Sequence, residues 1–301
     1  MSDHNDTLQR FMFDNAAVRG EVVHLDLAWQ QVLERHDYPP VVRELLGEAL
    51  TAGMLLSATI KMEGTLTIQI QGDGPVNLLV VEITISKQGD AIQRSMRGVA
   101  ESKTDPEPGN LASLFGQGKI VITIAPDKGE ERFQGIVGLE GERIADALQA
   151  YLRQSEQLQT SIWLHADQSH TAGLMLQRLP GDSADEAEAE AWNRINHLAS
   201  TVTDAELLEL SPQTLLHRLF HEEQVRLFDV EPVRFYCSCS RERVANMLRT
   251  LGRAELEDIL HEQGKIEVAC EFCKQGYRFD AVDVEQLLVT DTTLEAPKTR
   301  Q

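Results

Sequence analysis

The cysteines of this chain all fall in one stretch near its C-terminus. They read Cys237-Ser-Cys239 and Cys270-Glu-Phe-Cys273, with about thirty residues between the pairs. Two close thiol pairs at such an interval are a metal-ligand spacing. Four thiolates close a tetrahedral Zn2+ shell and leave no position for water or substrate, which argues against a hydrolytic zinc enzyme at this site. Sulfur ligands argue equally against Mg2+ or Ca2+. The stretch around the cysteines is small, and a small core is hard to stabilise by burial alone. Metal binding would then contribute much of its folding free energy, about 10–16 kcal/mol for structural zinc in finger-like peptides.

One pair is spaced C-x-C, whereas structural zinc knuckles usually use C-x-x-C. A disulfide across C-x-C closes a strained ring, and strain makes it easily reduced. Zinc meanwhile holds sulfurs as thiolates, the form that oxidants attack. Spacing alone leaves two readings open: a purely structural zinc module, or a metal centre that is reversibly oxidised. Arg234, Arg241, Arg243, Lys274 and Arg278 crowd the pairs. They either offset the charge of the site or form an ordinary solvated surface.

The formal charge of −20 disfavours binding to phosphate backbones. The N-terminal residues are polar, without a basic stretch leading into an apolar one, so no signal peptide is expected. The apolar patches Met54–Ile60 and Leu78–Val81 are too short to span a bilayer. A cytoplasmic protein is expected, with no membrane or nucleic-acid partner. In that compartment thiols stay reduced, which points to a metal or redox site and not to a disulfide framework.

Residues 1–180 read as an α+β domain. Leu27–His36 and Val41–Lys61 are expected helices, the second with Val42, Leu45, Leu46, Ala49, Leu50 and Gly53 on a buried stripe. Strands are expected over Ala17–Leu25, Thr65–Gln71, Val76–Thr84, Lys119–Ala125 and Phe133–Leu139. A helix over Glu142–Ser155 and a hairpin of Ser161–His165 with Ala172–Leu179 close the domain. Strands in runs with irregular helices predict mixed or antiparallel sheets, not a βαβ series. Gly53–Ile60 and Leu78–Val81 are expected in the core.

Residues 181–230 read as an acidic linker of short helices. Asp182, Asp185, Glu186, Glu188 and Glu190 open it, and Leu207, Leu208 and Leu210 form one apolar group. Leu215, Leu216, Leu219 and Phe220 form the next, after a Ser211-Pro212 helix start. Short helices are marginal in water, so these faces must dock on a folded domain. The region is either an ordinary helical linker or one poised to undock. Phe220–Tyr236 looks extended. Residues 231–290 form the small zinc-binding module, with helices over Arg241–Thr250, Glu255–Glu262 and Val282–Leu288. Short strands over Lys265–Ala269 and Gly276–Phe279 flank the second pair. Residues 291–301 form a polar tail.

The segment Cys237-Ser-Cys-Ser-Arg-Glu242, the long gap and Cys270-x-x-Cys273 resemble the zinc centre of the redox-regulated heat shock protein 33 family of bacterial chaperones. Other segments resemble that family in order. They begin at Asn15-Ala-Ala-Val-Arg-Gly-Glu, Gln71-Gly-Asp-Gly-Pro-Val-Asn-Leu, Met96-Arg-Gly-Val-Ala, Val121-Ile-Thr-Ile, Phe133-Gln-Gly-Ile-Val-Gly-Leu-Glu-Gly, Ser155-Glu-Gln-Leu-Gln-Thr and His221-Glu-Glu. The resemblance spans roughly Leu8 to Leu288; Lys87–Gln93 and the tail match nothing.

The resemblance implies a holdase that is not an enzyme. When reduced, Cys237, Cys239, Cys270 and Cys273 would hold one Zn2+ per chain and the chaperone would be inactive. Oxidation would release the zinc and join Cys237 to Cys239 and Cys270 to Cys273. The module would unfold, the linker would undock, and unfolding client proteins would bind an apolar surface without ATP. The oxidised form would be a homodimer and would pass clients to ATP-dependent foldases. Two other readings fare worse. A thiol–disulfide oxidoreductase wants its C-x-x-C opening a helix, and a zinc-ribbon nucleic-acid adaptor wants a basic, aromatic surface. Gly116-Gln-Gly118-Lys119 lacks phosphate-loop spacing and reads as a turn.

Overall fold

The computed structural model describes residues 6–89, 91–128, 131–180 and 186–292, with side chains through residue 288. It contains two compact units that meet in sequence at Tyr236 and Cys237. Asp182 and Asp185 of the acidic run and the tail from residue 293 lie outside the described residues.

The first unit opens with paired strands β1 (Thr7–Phe13) and β2 (Val18–Leu25), then helices α1 (Leu27–Leu33) and α2 (Pro40–Ser57). Antiparallel strands β3 (Gly64–Gln71), β4 (Val76–Gln88) and β5 (Ala91–Ser102) follow. After α3 (Leu111–Phe115) come β6 (Lys119–Pro126) and β7 (Phe133–Gly138). Helix α4 (Ile144–Ser155) leads into the hairpin β8 (Thr160–Ala166) and β9 (Thr171–Arg178). Helices α5 (Glu186–Ala199), α6 (Asp204–Glu209) and α7 (Pro212–Phe220) precede strand β10 (Val225–Phe235).

Among the described residues these strands form one ten-stranded sheet, in the order β7-β6-β3-β4-β5-β10-β1-β2-β9-β8. The α+β reading therefore holds. Helix α2 packs with its expected stripe buried and is covered on all sides from Leu45 to Ser57. It ends four residues before the expected Lys61. Ser57 Oγ donates to the Met54 carbonyl, and the backbone N–H groups of Ala58, Thr59 and Ile60 bond three residues back, which tightens the last turn. The Gly72–Pro75 turn is fixed by close approach, since a Cβ at Gly72 would lie 1.9 Å from the Phe115 carbonyl oxygen.

Strand β10 decides how the sheet closes. It runs antiparallel to β1, pairing Thr7 with Pro232 through Phe13 with Val225. On its other side it runs parallel to β5 over Val233–Phe235 alone. Two antiparallel half-sheets are thus joined by a strand that comes after the linker helices. The sequence reading starts the C-terminal module at residue 231, whereas the compact unit runs on to Tyr236 because Glu231–Phe235 are sheet residues.

Beneath β10 lies a buried charge cluster. Glu231 pairs with Arg94 and, at 2.8 Å, with Arg10. Arg94 is 2 % exposed and its Nε donates to Ser57 Oγ at 3.0 Å. Burial pulls the Arg94 guanidinium down from its ordinary range, to about 10. The neighbouring Glu21 carboxyl is pushed up by burial, to about 7, despite the arginines near it.

The linker helices dock on the face of the half-sheet formed by β1, β2 and β9. Leu207, Leu208, Leu215, Leu216, Leu219 and Phe220 are buried against Phe11, Phe13, Val22, Leu174 and Leu176, with Trp192 and Ile195 of α5 beside them. The Phe220 ring meets Phe13 edge-on at 5.1 Å, and Phe13 meets Phe11 at 5.8 Å. Gly20 leaves room for this, because a Cβ there would lie 2.1 Å from the Phe11 ring. Burying each Leu or Phe contributes roughly 1.5–3 kcal/mol. Thr203 and Glu206 cap α6 reciprocally, and Ser211 accepts from the Thr214 N–H at the expected start of α7. Glu223 binds Arg194 at 2.7 Å and accepts from Asn15 at 3.0 Å, tying the end of this layer to the β1–β2 turn.

The second unit contains α8 (Arg241–Arg249), α9 (Arg253–Gln263), β11 (Ile266–Ala269), β12 (Gly276–Phe279) and α10 (Ala281–Thr292). Its buried core is Ala245, Leu248, Leu256, Ile266, Phe279 and Val284. That is little apolar cover for a unit of this length.

Candidate metal centre

Each cysteine pair sits where local backbone geometry turns its thiols inward. Cys237 and Cys239 lie in the extended stretch before α8. Ser240 caps that helix by accepting from the Arg243 N–H, and Arg243 Nη1 donates to Ser238 Oγ at 2.6 Å. Cys270 and Cys273 occupy the turn of the β11–β12 hairpin. The Cys270 N–H donates to the Gln275 carbonyl at 3.0 Å, and the Lys274 N–H donates to the Cys270 carbonyl at 2.8 Å. Lys274 closes the turn at φ 56°, in the left-handed region. A short strand, β12, follows the C-x-x-C pair where an oxidoreductase motif would open a helix.

The four Sγ atoms lie within 4.8 Å of one another. Across the pairs, Cys237 faces Cys270 at 3.7 Å and Cys239 faces Cys273 at 3.3 Å. Zn–S bonds of about 2.3 Å at tetrahedral angles put sulfurs about 3.8 Å apart. A covalent S–S bond is about 2.05 Å. The separations therefore suit a tetrahedral cation and not a disulfide, and the all-sulfur donor set suits zinc. Burial pushes the Cys270 thiol up, with the Cys237 sulfur adding to the shift and the Cys273 sulfur opposing it, and pushes the Cys273 thiol up to about 12, with the other three sulfurs adding. Crowded thiols resist ionising together, and a divalent cation is the charge that would reverse this.

Arg241 and Lys274, like Arg243, hold the scaffold around the pairs. Arg241 donates to the Arg278 carbonyl at 2.6 Å, pairs with Asp283 at 2.8 Å, and stacks 4.2 Å from the Phe279 ring centroid. Lys274 pairs with Glu271 at 2.9 Å. Sequence reasoning missed Tyr277, whose hydroxyl donates to Cys239 Sγ at 3.1 Å. This hydrogen bond to a sulfur pushes the phenol above its ordinary range. The one signal available was an aromatic residue with a polar tip on the strand leaving the second pair.

Comparison with known proteins places this geometry in a family. A model described as Hsp33 protein matches residues 6–280. The 33 kDa chaperonin of Nitrosococcus oceani is 48 % identical over 298 residues, covering 99 % of both chains. That of Methylobacillus flagellatus is 46 % identical over 295 residues, covering 98 % of this chain and 97 % of its own. The crystal structure of the 33 kDa chaperonin of Thermotoga maritima, a heat shock protein 33 homolog, matches with a TM-score of 0.78 at 23 % identity. It covers 96 % of this chain and 100 % of that one, a likeness of fold.

Proposed function

The chain belongs to the Hsp33 chaperone family, and we propose that it is a redox-switched holdase whose trigger is the four-cysteine centre. The convergence of all four sulfurs at metal-ligand separations carries this reading. In the reduced state Cys237, Cys239, Cys270 and Cys273 hold one zinc ion per chain, which supplies the cross-link that the small core of the second unit lacks.

Oxidation joins Cys237 to Cys239 and Cys270 to Cys273. In forming each disulfide the two thiolates give two electrons to one hydroperoxide, whose O–O bond breaks to yield two waters, or water and an alcohol, with two protons drawn from solvent. The sulfurs that face one another in the fold are Cys237 with Cys270 and Cys239 with Cys273. Pairing within each neighbour set therefore takes the sulfurs out of the ligand arrangement, so oxidation and loss of the metal go together.

The second unit then unfolds, and the chain leads from it directly into β10, whose pairing to β5 spans only Val233–Phe235. Undocking of α5–α7 exposes the leucines of α6 and α7 and the sheet face under them. A contiguous apolar surface of that kind binds unfolding chains, and the net charge of −20 keeps the open form dispersed. The protein acts in the cytoplasm without ATP and without catalysing a reaction. It dimerises when oxidised and passes clients to ATP-dependent foldases.

No helix among the described residues is long and apolar enough to cross a membrane. Metal and thiol counts on the purified chain test the switch. The reduced chain should hold one zinc and four reactive thiols, and warm peroxide should release the zinc and consume all four. Retention of zinc by the oxidised chain would contradict the reading.

A further inference from the structure

Tyr277 sits on β12 opposite Val268 of β11, in the hairpin whose turn carries Cys270 and Cys273. Its ring packs against the small core of the unit, while its hydroxyl reaches the other pair and donates to Cys239 Sγ at 3.1 Å. One side chain thus bridges the two halves of the centre. We propose that Tyr277 is a positioning residue of the four-cysteine centre: its hydrogen bond holds Cys239 as a metal-ligating thiolate and slows that sulfur's reaction with peroxide. The proposal rests on the zinc reading above and deepens it.

The physical ground is charge. Four thiolates around one divalent cation carry a net charge of −2, and a donor aimed at one sulfur disperses part of it. The same hydrogen bond draws negative charge from the sulfur and so weakens its remaining lone pairs as nucleophiles. One of these acts in the oxidation step, in which the Cys239 thiolate attacks one oxygen of hydrogen peroxide. The O–O bond breaks, hydroxide leaves, and a sulfenic acid forms. The Cys237 thiolate then attacks the oxidised sulfur, forms the S–S bond and expels a second hydroxide. Two electrons have passed from the two sulfurs to the peroxide. Removing the phenol makes Cys239 a weaker ligand and a freer nucleophile, so both effects favour oxidation.

Tyr277→Phe in the full chain tests this, because the ring and its packing stay. Zinc affinity is measured by chelator competition, and zinc release by its rate in hydrogen peroxide. Thiolate-to-metal charge-transfer absorption is read in the cobalt-substituted protein. Loss of an outer-sphere partner typically costs 10–100-fold in metal affinity, so a fall of about tenfold or more is expected, with faster zinc release and a shifted cobalt band. A purely structural role for Tyr277 would leave the cobalt band in place.

Site-specific 3-fluorotyrosine at position 277, a stronger donor of the same shape, should slow release below the wild-type rate. Unchanged affinity and release in Tyr277→Phe, or faster release with the fluorinated residue, would overturn the proposal. In that case a wild type still holding zinc through four thiolates leaves the zinc reading standing. A wild type that binds no zinc removes both.

Discussion

Stripping zinc from the reduced chain with a strong chelator should unfold residues 237–292 while the sheet and α2 stay folded. Among the described residues the second unit buries six apolar side chains, one of them an alanine. Ordering its backbone costs on the order of 1–2 kcal/mol per residue, and structural zinc supplies about 10–16 kcal/mol in comparable modules. No disulfide is in place to substitute, since all four cysteines are free. The first unit has no such dependence, because α2 and the strands around it form a large continuous core. Hydrogen exchange reads the outcome by segment. Amides of α8, α9 and the β11–β12 hairpin should lose protection on chelation, and those of α2, β3 and β4 should keep it. Persisting protection in α9 and the hairpin would show that the unit folds on its apolar core alone.

The second large effect is expected at Glu231. Its carboxylate lies between Arg10 and the fully buried Arg94. Glu231→Ala removes the carboxylate that pairs with both arginines and leaves the Arg94 guanidinium, 2 % exposed, without that partner. Removing one partner of a buried pair typically costs about 3–5 kcal/mol, and Glu231→Ala should destabilise the first unit by that amount in urea titrations of the zinc-loaded chain. Replacing both partners with apolar residues, Arg94→Met with Glu231→Leu, should recover most of the loss, as a charge-burial cause requires. The damage should begin in β10, which β5 holds over three residues only. A loss below about 1 kcal/mol for Glu231→Ala, in the range of a solvated surface pair, would show that the cluster is open to water.

These two sites differ in how well the sequence shows them. The centre is legible because ligand chemistry is local: C-x-C and C-x-x-C name their atoms, and the hairpin turn brings them inward. The stripe on α2 and the alternation of Thr65–Gln71 are legible for the same reason, since burial repeats with the period of the element. Strand β10 is a different case. Leu227, Phe228 and Val230 are exposed by 40 %, 41 % and 45 %, while the charged Glu231 is buried. Its pattern therefore runs against the usual sense, and only the tertiary placement of Arg94 and Arg10 explains it. Strand β1 precedes the first strand expected from the sequence, at Ala17. Strand β5 hides behind Arg94 and Arg97, which are paired with Glu231 and Glu82. Tyr277 is invisible for a related reason, because its partner Cys239 is 38 residues away.

The linker was legible in part. Its two leucine groups demanded a docking face, and the structure supplies one in Phe11, Phe13 and the strands beside them. What releases that face is the central claim. Light scattering of a chemically unfolded model protein, diluted into the purified chain, tests it most directly. The reduced, zinc-loaded chain should leave aggregation unchanged. The same chain after warm peroxide should suppress it, and reduction with zinc restored should return the inactive form. Equal suppression by the reduced, zinc-loaded chain would contradict the switch.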